Sequence, residues 1–286
     1  MLYRIKWILR SWQWPLRIYR RLKRVQKENK LLARIWLWLR WWSHFRHNPL
    51  DVVEIETDAR CNRSCSYCPV AKHKREGQMP ESLFYAIVDQ LQQMNFSGRF
   101  SFHFYNEPLL DPRLDTFIRY TRDRLAKATL VLVTNGDHLS RERFDQLLAA
   151  GIDLVSVSLH DKKIAKTSNA LRGSLNERFQ AKILITPTYE PQTPLSNRGG
   201  LVDLQKHQHE AVHNWPNGGC TSVSSLVINY QGKVALCCDD FFARFGHGDL
   251  NETPLRTVWE DSREKRRRIY FANYELPICQ TCSSGR

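Results

Sequence analysis

The sequence predicts an α/β fold in which parallel strands alternate with helices, preceded by a basic helical arm. Three observations indicate this: strand-length apolar segments begin near residues 52, 100, 129 and 153, segments with helical periodicity lie between them, and residues 1–47 differ from the rest in composition. Strands spaced in this way are typical of βαβ units, which form parallel sheets. The chain has 286 residues, 42% of them hydrophobic, so it can bury a full core and wholesale disorder is excluded.

The arm, residues 1–47, carries nearly all of the excess charge. It holds 13 Lys/Arg, a single acid (Glu28) and seven of the nine Trp, whereas the remaining 239 residues carry 30 basic and 28 acidic groups. Its apolar residues recur every three or four positions, which predicts amphipathic helices interrupted at Pro15. Because Lys or Arg occurs every few positions, neither a transmembrane helix nor a signal peptide is expected.

Trp and Lys/Arg together favour the boundary between lipid headgroups and hydrocarbon. The arm, taken as a domain over 1–48, is therefore predicted to lie in the plane of an anionic membrane surface. A helix packed on the body or on a partner protein is the main alternative, while nucleic-acid contact and organelle import are disfavoured. The predicted location is the cytoplasm, with peripheral attachment to the inner face of the membrane.

The elements of the body follow from apolar periodicity, from proline at helix starts and from polar caps. The carboxyl ends of parallel strands meet at one edge, and the loops there are expected to hold the chemistry. In chain order the predicted elements are a strand over 52–55, a helix with Pro80 near its start, a strand over 100–104, a helix opened by Asp111-Pro112, a strand over 129–133, a helix from Ser140 to Gly151, and strands over 153–159 and 181–186.

Eight cysteines occur in clusters, and chain length and the missing signal argue against a disulfide scaffold. Cys61, Cys65 and Cys68 form a C-x3-C-x2-C loop with no His nearby. Three thiolates suit a four-iron cluster and leave one iron open to an outside ligand. Zinc with a distant fourth ligand is the alternative.

This loop, with Tyr67 immediately before the last cysteine, closely resembles the signature of the radical S-adenosylmethionine (SAM) enzymes, and the resemblance runs over roughly residues 52–286. It implies a partial (β/α) barrel, here over 49–200, which periodicity alone does not distinguish from an open sheet. In that family the free iron is chelated by the amino and carboxylate groups of SAM. The resemblance therefore implies a catalytic [4Fe–4S] cluster on Cys61, Cys65 and Cys68, with SAM as cofactor.

Several strand-end segments also match the family. Tyr105-Asn106-Glu107-Pro108 stands where the family usually has Gly-Gly-Glu-Pro, and Thr134-Asn135-Gly136 matches a turn beside the cofactor. Ser156 and Ser158 occupy the ribose- and carboxylate-binding position, and Arg172 resembles the Arg that pairs with the SAM carboxylate. Taken singly, each is also an ordinary turn or strand residue. The implied SAM-binding residues are Tyr67, Asn106, Glu107, Thr134, Asn135, Ser156, Ser158 and Arg172.

The remaining cysteines lie near the C-terminus. A hairpin is predicted around the Gln231-Gly232 turn, and its ends can face a distant C-x2-C. The pattern resembles a shortened auxiliary-cluster (SPASM/twitch-like) domain over 201–286. The resemblance implies one auxiliary [4Fe–4S] cluster and no second one. Its implied ligands are Cys220, Cys237, Cys279 and Cys282. Cys238 is an alternative to Cys237, and zinc is the alternative to the iron–sulfur cluster. His207, His209 and His213 are a weaker metal candidate.

The resemblance implies reductive cleavage of SAM to a 5′-deoxyadenosyl radical, which abstracts hydrogen from a substrate. Auxiliary-cluster members favour a peptide or protein side chain as that substrate, and dehydrogenation of a sugar or other alcohol is the nearest alternative. A different hypothesis is that the protein is not an enzyme but a metal-stabilised adaptor. The implied partners are SAM, an unidentified peptide or small molecule, a reductant such as flavodoxin or ferredoxin, and a membrane or protein bound by residues 1–47.

Overall fold

The computed structural model describes residues 49–188, 195–206 and 220–282, together with residues 35, 38, 39, 41 and 42. Its strands are β1 (Val52–Ile55), β2 (Arg99–Phe102), β3 (Thr129–Thr134), β4 (Leu154–Leu159), β5 (Ile183–Pro187), β6 (Ser225–Ile228), β7 (Lys233–Ala235) and β8 (Gly248–Asp249). They form one sheet in the order β5-β4-β3-β2-β1-β6-β7-β8. Every neighbouring pair from β5 to β6 is parallel, so the predicted parallel α/β fold is confirmed.

The helices connect these strands and cover the sheet. They are α1 (Glu81–Gln93), α2 (Leu114–Arg124), α3 (Arg141–Ala150), α4 (Lys162–Gly173), α5 (Glu177–Gln180), α6 (Leu255–Asp261), α7 (Arg263–Tyr270) and α8 (Pro277–Thr281). Phe84 on α1 and Phe117 on α2 are fully buried, and their rings stack with centroids 4.2 Å apart. The apolar faces seen in the sequence thus form the core between helices and sheet.

Local signals set most of the helix ends. Pro80 immediately precedes α1, and the Ser140 hydroxyl accepts a hydrogen bond from the Arg143 N–H at the start of α3. Gly151 ends α3 with φ 122°, a conformation that favours glycine. Asp111 makes the predicted capping bond, since its carboxylate accepts a hydrogen bond from the Arg113 N–H at 3.0 Å. Pro112 and Arg113 form a turn, and the regular helix α2 begins at Leu114.

The C-terminal hairpin joins the core sheet directly. β6 and β7 pair antiparallel around Gly232, as predicted, and β6 also pairs in parallel with β1, in the register Val53↔Leu226. The segment that carries the later cysteines is therefore an extension of the sheet that carries the first ones. The domain boundary placed at residue 200 stays a prediction.

Part of the arm is described. Trp41 lies 5.5 Å, centroid to centroid, from both Tyr270 and Phe271. Within the described residues no helix has the length and apolar character needed to cross a bilayer. The predicted interruption at Pro15 and the three histidines at 207, 209 and 213 lie outside the described residues.

Candidate active site

The three cysteines of the first motif lie in the loop between β1 and α1. Cys61, Cys65 and Cys68 are half-buried, carry free thiols, and are held by a turn in which the Cys68 N–H donates to the Cys65 carbonyl at 2.9 Å. Burial raises the pKa of the Cys65 thiol to about 11. A buried thiolate is stable only beside positive charge, which an iron cluster supplies. The donor set therefore fits a three-thiolate iron–sulfur cluster.

Arg63, between the first two cysteines, fixes this loop to two strand ends. Its guanidinium pairs with Asp137 at 2.6 Å, after β3, and with Asp161 at 2.8 Å, after β4. Asn62 also donates to Asp137, at 2.8 Å. Sequence reasoning missed these residues, because Arg63 and its partners are 74 and 98 positions apart and share no local pattern.

Glu107 accepts hydrogen bonds from the Thr134-Asn135 turn. Its carboxylate accepts hydrogen bonds from the Thr134 hydroxyl and the Asn135 N–H, both at 2.7 Å. The Asn135 side chain donates onward to Asn62 in the cysteine loop, at 2.8 Å. Burial raises the pKa of Glu107 to about 7, despite these donors. Neighbouring Asn106 is half-buried, and its Nδ2 has no hydrogen-bond partner among the described residues.

Tyr67 contacts the end of β4. Its hydroxyl lies 2.6 Å from Nδ1 of His160, and the rings of Tyr67 and His160 stack. The same Nδ1 lies 3.6 Å from the sulfur of Cys65. Burial lowers the pKa of His160 to about 4, so the imidazole is neutral at pH 7. His160 follows Ser156 and Ser158 at alternate positions along β4, and both serines are half-buried between buried neighbours.

Arg172 is not brought to the cysteine loop. It is exposed in the last turn of α4, a helix that begins beside Asp161. With a rise of about 1.5 Å per residue, the helix carries Arg172 roughly 16 Å along its axis from that end. Its pairing with SAM stays a prediction.

The later cysteines meet at a second site. Cys220 precedes β6, Cys237 follows β7, and Cys279 and Cys282 lie on and just after α8. Burial, followed by the nearby thiols of Cys220 and Cys282, raises the pKa of Cys279 to about 12. Cys220 and Cys279 pack in an apolar cluster with Val223, Leu236, Ile269, Tyr270 and Ile278, and Cys237 and Cys282 are also buried. Four thiols in an apolar pocket fit a fully protein-ligated cluster, although no group of three or more His, Cys, Asp or Glu in the described residues is arranged to hold a single metal ion.

Arg198 lies between the two cysteine sites. Its guanidinium is 3.6 Å from the Asp239 carboxylate and 5.6 Å from the ring centroid of Tyr105, and 30% of its side chain is exposed. Burial disfavours its charge, but Tyr105, Asp239, Cys238 and Cys68 hold the pKa of Arg198 above its ordinary value. Its Nε is buried without a hydrogen-bond partner among the described residues.

The backbone at Arg198 is strained. Arg198 has φ 51°, followed by Gly199 at 62° and Gly200 at 92°. A positive φ is costly for a non-glycine residue and is often retained at functional sites. The sequence signal for this residue was only a Gly-Gly pair, so sequence reasoning missed it.

Comparison with known proteins agrees with this geometry. Residues 55–167 match the family model of the Radical SAM superfamily, and residues 220–283 match that of an iron–sulfur cluster-binding domain, SPASM. The chain is 33% identical over 217 residues to the S-adenosyl-L-methionine-dependent 2-deoxy-scyllo-inosamine dehydrogenase of Niallia circulans, an alignment covering 74% of this chain and 83% of the relative. The chain belongs to the radical SAM superfamily.

Two further similarities bear on the reaction. A crystal structure of BtrN in complex with AdoMet and 2-DOIA superposes with a TM-score of 0.71 and 28% identity, covering 82% of this chain and 93% of that one. The PqqA peptide cyclase of Streptomyces rochei is 35% identical over 167 residues, covering 52% of this chain and 43% of the relative. The chain is thus a radical SAM enzyme whose cofactors are SAM and a [4Fe–4S] cluster, with a second iron–sulfur cluster in its C-terminal domain.

Proposed function

We propose that this enzyme dehydrogenates a secondary alcohol on a small, carbohydrate-like molecule. The dehydrogenase of Niallia circulans aligns over 83% of its length, whereas the peptide cyclase aligns over 43% of its own. Sequence reasoning ranked a peptide substrate first, and this difference in coverage favours the alcohol instead. The observation that carries the proposal is the position of Arg198 between the two cysteine sites: Cys68 is among its neighbours, and it pairs with Asp239, which accepts a hydrogen bond from Cys282 of the second site.

The roles of the cysteines and the strand-end residues follow from their positions. Cys61, Cys65 and Cys68 hold the first cluster, and Cys220, Cys237, Cys279 and Cys282 hold the second. The turn at Thr134–Asn135, shaped by Glu107, and the serines of β4 bind SAM beside the first cluster. When bound, SAM and the first cluster supply a radical that removes a hydrogen atom from the substrate carbon, and the second cluster supplies an acceptor for the remaining electron.

Arg198 orients the substrate in this proposal. Its Nε–H, which has no hydrogen-bond partner in the described part of the chain, is the proposed donor to the oxygen of the reacting alcohol. Asp239, beside it, accepts hydrogen bonds from the Ser196 hydroxyl at 2.5 Å and from Cys282 Sγ at 3.4 Å, and in this proposal its carboxylate receives the hydroxyl proton. A fixed donor and a nearby base are what oxidation of an alcohol to a ketone requires of the protein.

The test uses the anaerobically reconstituted enzyme with SAM and dithionite. It is incubated with cyclitols and aminocyclitols, and 5′-deoxyadenosine and ketone products are measured by mass spectrometry. Arg198→Gln should still cleave SAM but lose ketone formation by about 100-fold. Arg141→Gln, which removes an exposed guanidinium paired with Asp145, is the matched control and should behave as wild type. Ketone formation that survives in Arg198→Gln would contradict the assigned role.

Modification of a peptide side chain is the second candidate, and the similarity to the peptide cyclase supports it. Peptides incubated under the same conditions distinguish the two. A peptide product without any ketone from the alcohol panel would replace the first proposal. A reductant such as flavodoxin or ferredoxin is proposed to take the place of dithionite in the cell.

A further inference from the structure

An apolar face of the arm is exposed beside the body of the enzyme. Ile35, Trp38, Leu39 and Trp42 are helical, and between 45% and 56% of each residue is exposed. Their spacing of three, one and three positions places them on one side of a helix. Of the five large hydrophobic residues that are exposed in the described part of the chain, four belong to this face and the fifth is Leu184.

Trp41 fixes the orientation of this face. Its ring packs on Tyr270 and Phe271, both at 5.5 Å between centroids, at the end of α7. Neighbouring residues on a helix are about 100° apart, so Trp42 points to a different side from Trp41. The contact of Trp41 with the body therefore leaves the apolar face directed outward.

Positive charge surrounds the contact. Arg263, Arg267 and Arg268 are exposed on α7; Arg267 pairs with Glu264, and Arg268 pairs with Glu264 and, at 4.0 Å, with Glu275. In the sequence, residues 1–47 carry 13 basic residues and one acid. A protein surface that is both apolar and strongly basic is complementary to an anionic lipid bilayer, which offers negatively charged headgroups above hydrocarbon.

We propose that this face docks in the plane of an anionic lipid bilayer. Trp38, Leu39 and Trp42 enter the boundary between headgroups and hydrocarbon, where Trp is favoured, and the basic residues are attracted to the lipid headgroups. A second copy of the chain is a poorer occupant, because it would bring the same positive charge to the interface. The substrate site and this face are independent features, so the proposal does not rest on the assigned reaction.

The experiment measures flotation of the full-length holoenzyme with vesicles. Vesicles of phosphatidylcholine alone and of phosphatidylcholine mixed with phosphatidylglycerol are compared at low and high salt. The wild type should float with the anionic vesicles and retain part of its binding at high salt, because apolar insertion is not screened. The double variant Trp38→Ser/Leu39→Ser should lower the bound fraction about tenfold.

Leu184→Ser is the matched control, because it removes an exposed apolar residue on β5 and should leave flotation unchanged. Retained SAM cleavage in the double variant shows that it folds. Equal flotation of the double variant and the wild type would overturn the proposal. A second result would also overturn it: the wild type does not float, and light scattering shows a dimer that the double variant does not form. The face would then bind a second copy of the chain.

Discussion

The backbone N–H of Asn135 donates to the carboxylate of Glu107 at 2.7 Å, and only 1% of Glu107 is exposed. The bond joins the loop after β2 to the turn after β3. Because Asn135 also bonds Asn62, it links both loops to the cysteine motif. Glu107 thus holds these loops together through buried hydrogen bonds, and its protonation should be measurable as a change in the stability of the protein.

The first prediction concerns the pH dependence that Glu107 contributes. Burial raises its pKa from 4.5 to about 7 in the folded protein. The folded state therefore holds the proton when the unfolded chain has lost it, and stability falls as the pH rises from about 4.5 to about 7. Relative to Glu107→Gln, the cluster-free wild type should lose roughly 3 kcal/mol over this interval. Urea unfolding at several pH values measures it, and parallel curves for the two proteins would contradict it.

The second prediction separates the two cysteine sites. Cys65→Ala should abolish SAM cleavage, because one of only three ligands of the first cluster is lost. Cys279→Ala should keep some SAM cleavage uncoupled from substrate oxidation, because its thiol lies among Cys220 and Cys282 at the other site. Iron analysis and 5′-deoxyadenosine release measure both. Equal and total loss in the two variants would argue against separate roles.

The third prediction assigns the fourth ligand of the second site. Cys237 and Cys238 both have Cys220 and Asp239 among their charged neighbours. Cys238 also has Glu54 and Arg198 beside it, and its carbonyl accepts a hydrogen bond from Tyr105, so it lies nearer the first site. Cys237→Ala should therefore lower iron from about eight to about four per chain, and Cys238→Ala should leave it near eight. Iron and sulfide assays after anaerobic reconstitution decide between them. The reverse pattern would assign Cys238 as the ligand.

The fourth prediction concerns the buried pair Glu56–Arg75. Arg75 pairs with Glu56 at 2.6 Å, and its guanidinium lies 4.3 Å from the ring centroid of Phe241. Arg75→Ala should destabilise the protein by about 3 kcal/mol, because it leaves a fully buried carboxyl without its partner. Chemical denaturation measures the loss.

The exposed pair Arg141–Asp145 supplies the control for that experiment. Arg141→Ala should cost less than about 1 kcal/mol, because exposed ion pairs contribute little. Adding Glu56→Gln to Arg75→Ala should recover part of the stability, since no buried charge then remains. Similar losses in Arg75→Ala and Arg141→Ala would show that burial of the pair is unimportant.

The strand and helix order was readable from the sequence because its signals are local. Ser140 and Gly151 bound α3 through contacts within a few residues, and the Gln231-Gly232 turn specifies the β6–β7 hairpin. Asp111 shows the limit of this reasoning. Its carboxylate accepts the Arg113 N–H as a cap does, yet the local pattern did not predict that regular helix begins only at Leu114.

The cysteine spacing likewise favoured a four-iron cluster with an open iron, and the resemblance of the loop to the radical SAM signature decided between that cluster and zinc. Only the tertiary structure decided that β6 pairs with β1, that Arg63 joins Asp137 to Asp161, and that Arg198 lies between the two sites. These relations join residues far apart in the chain. Their energy comes from packing and charge pairing in the folded state, which no local pattern of residues encodes.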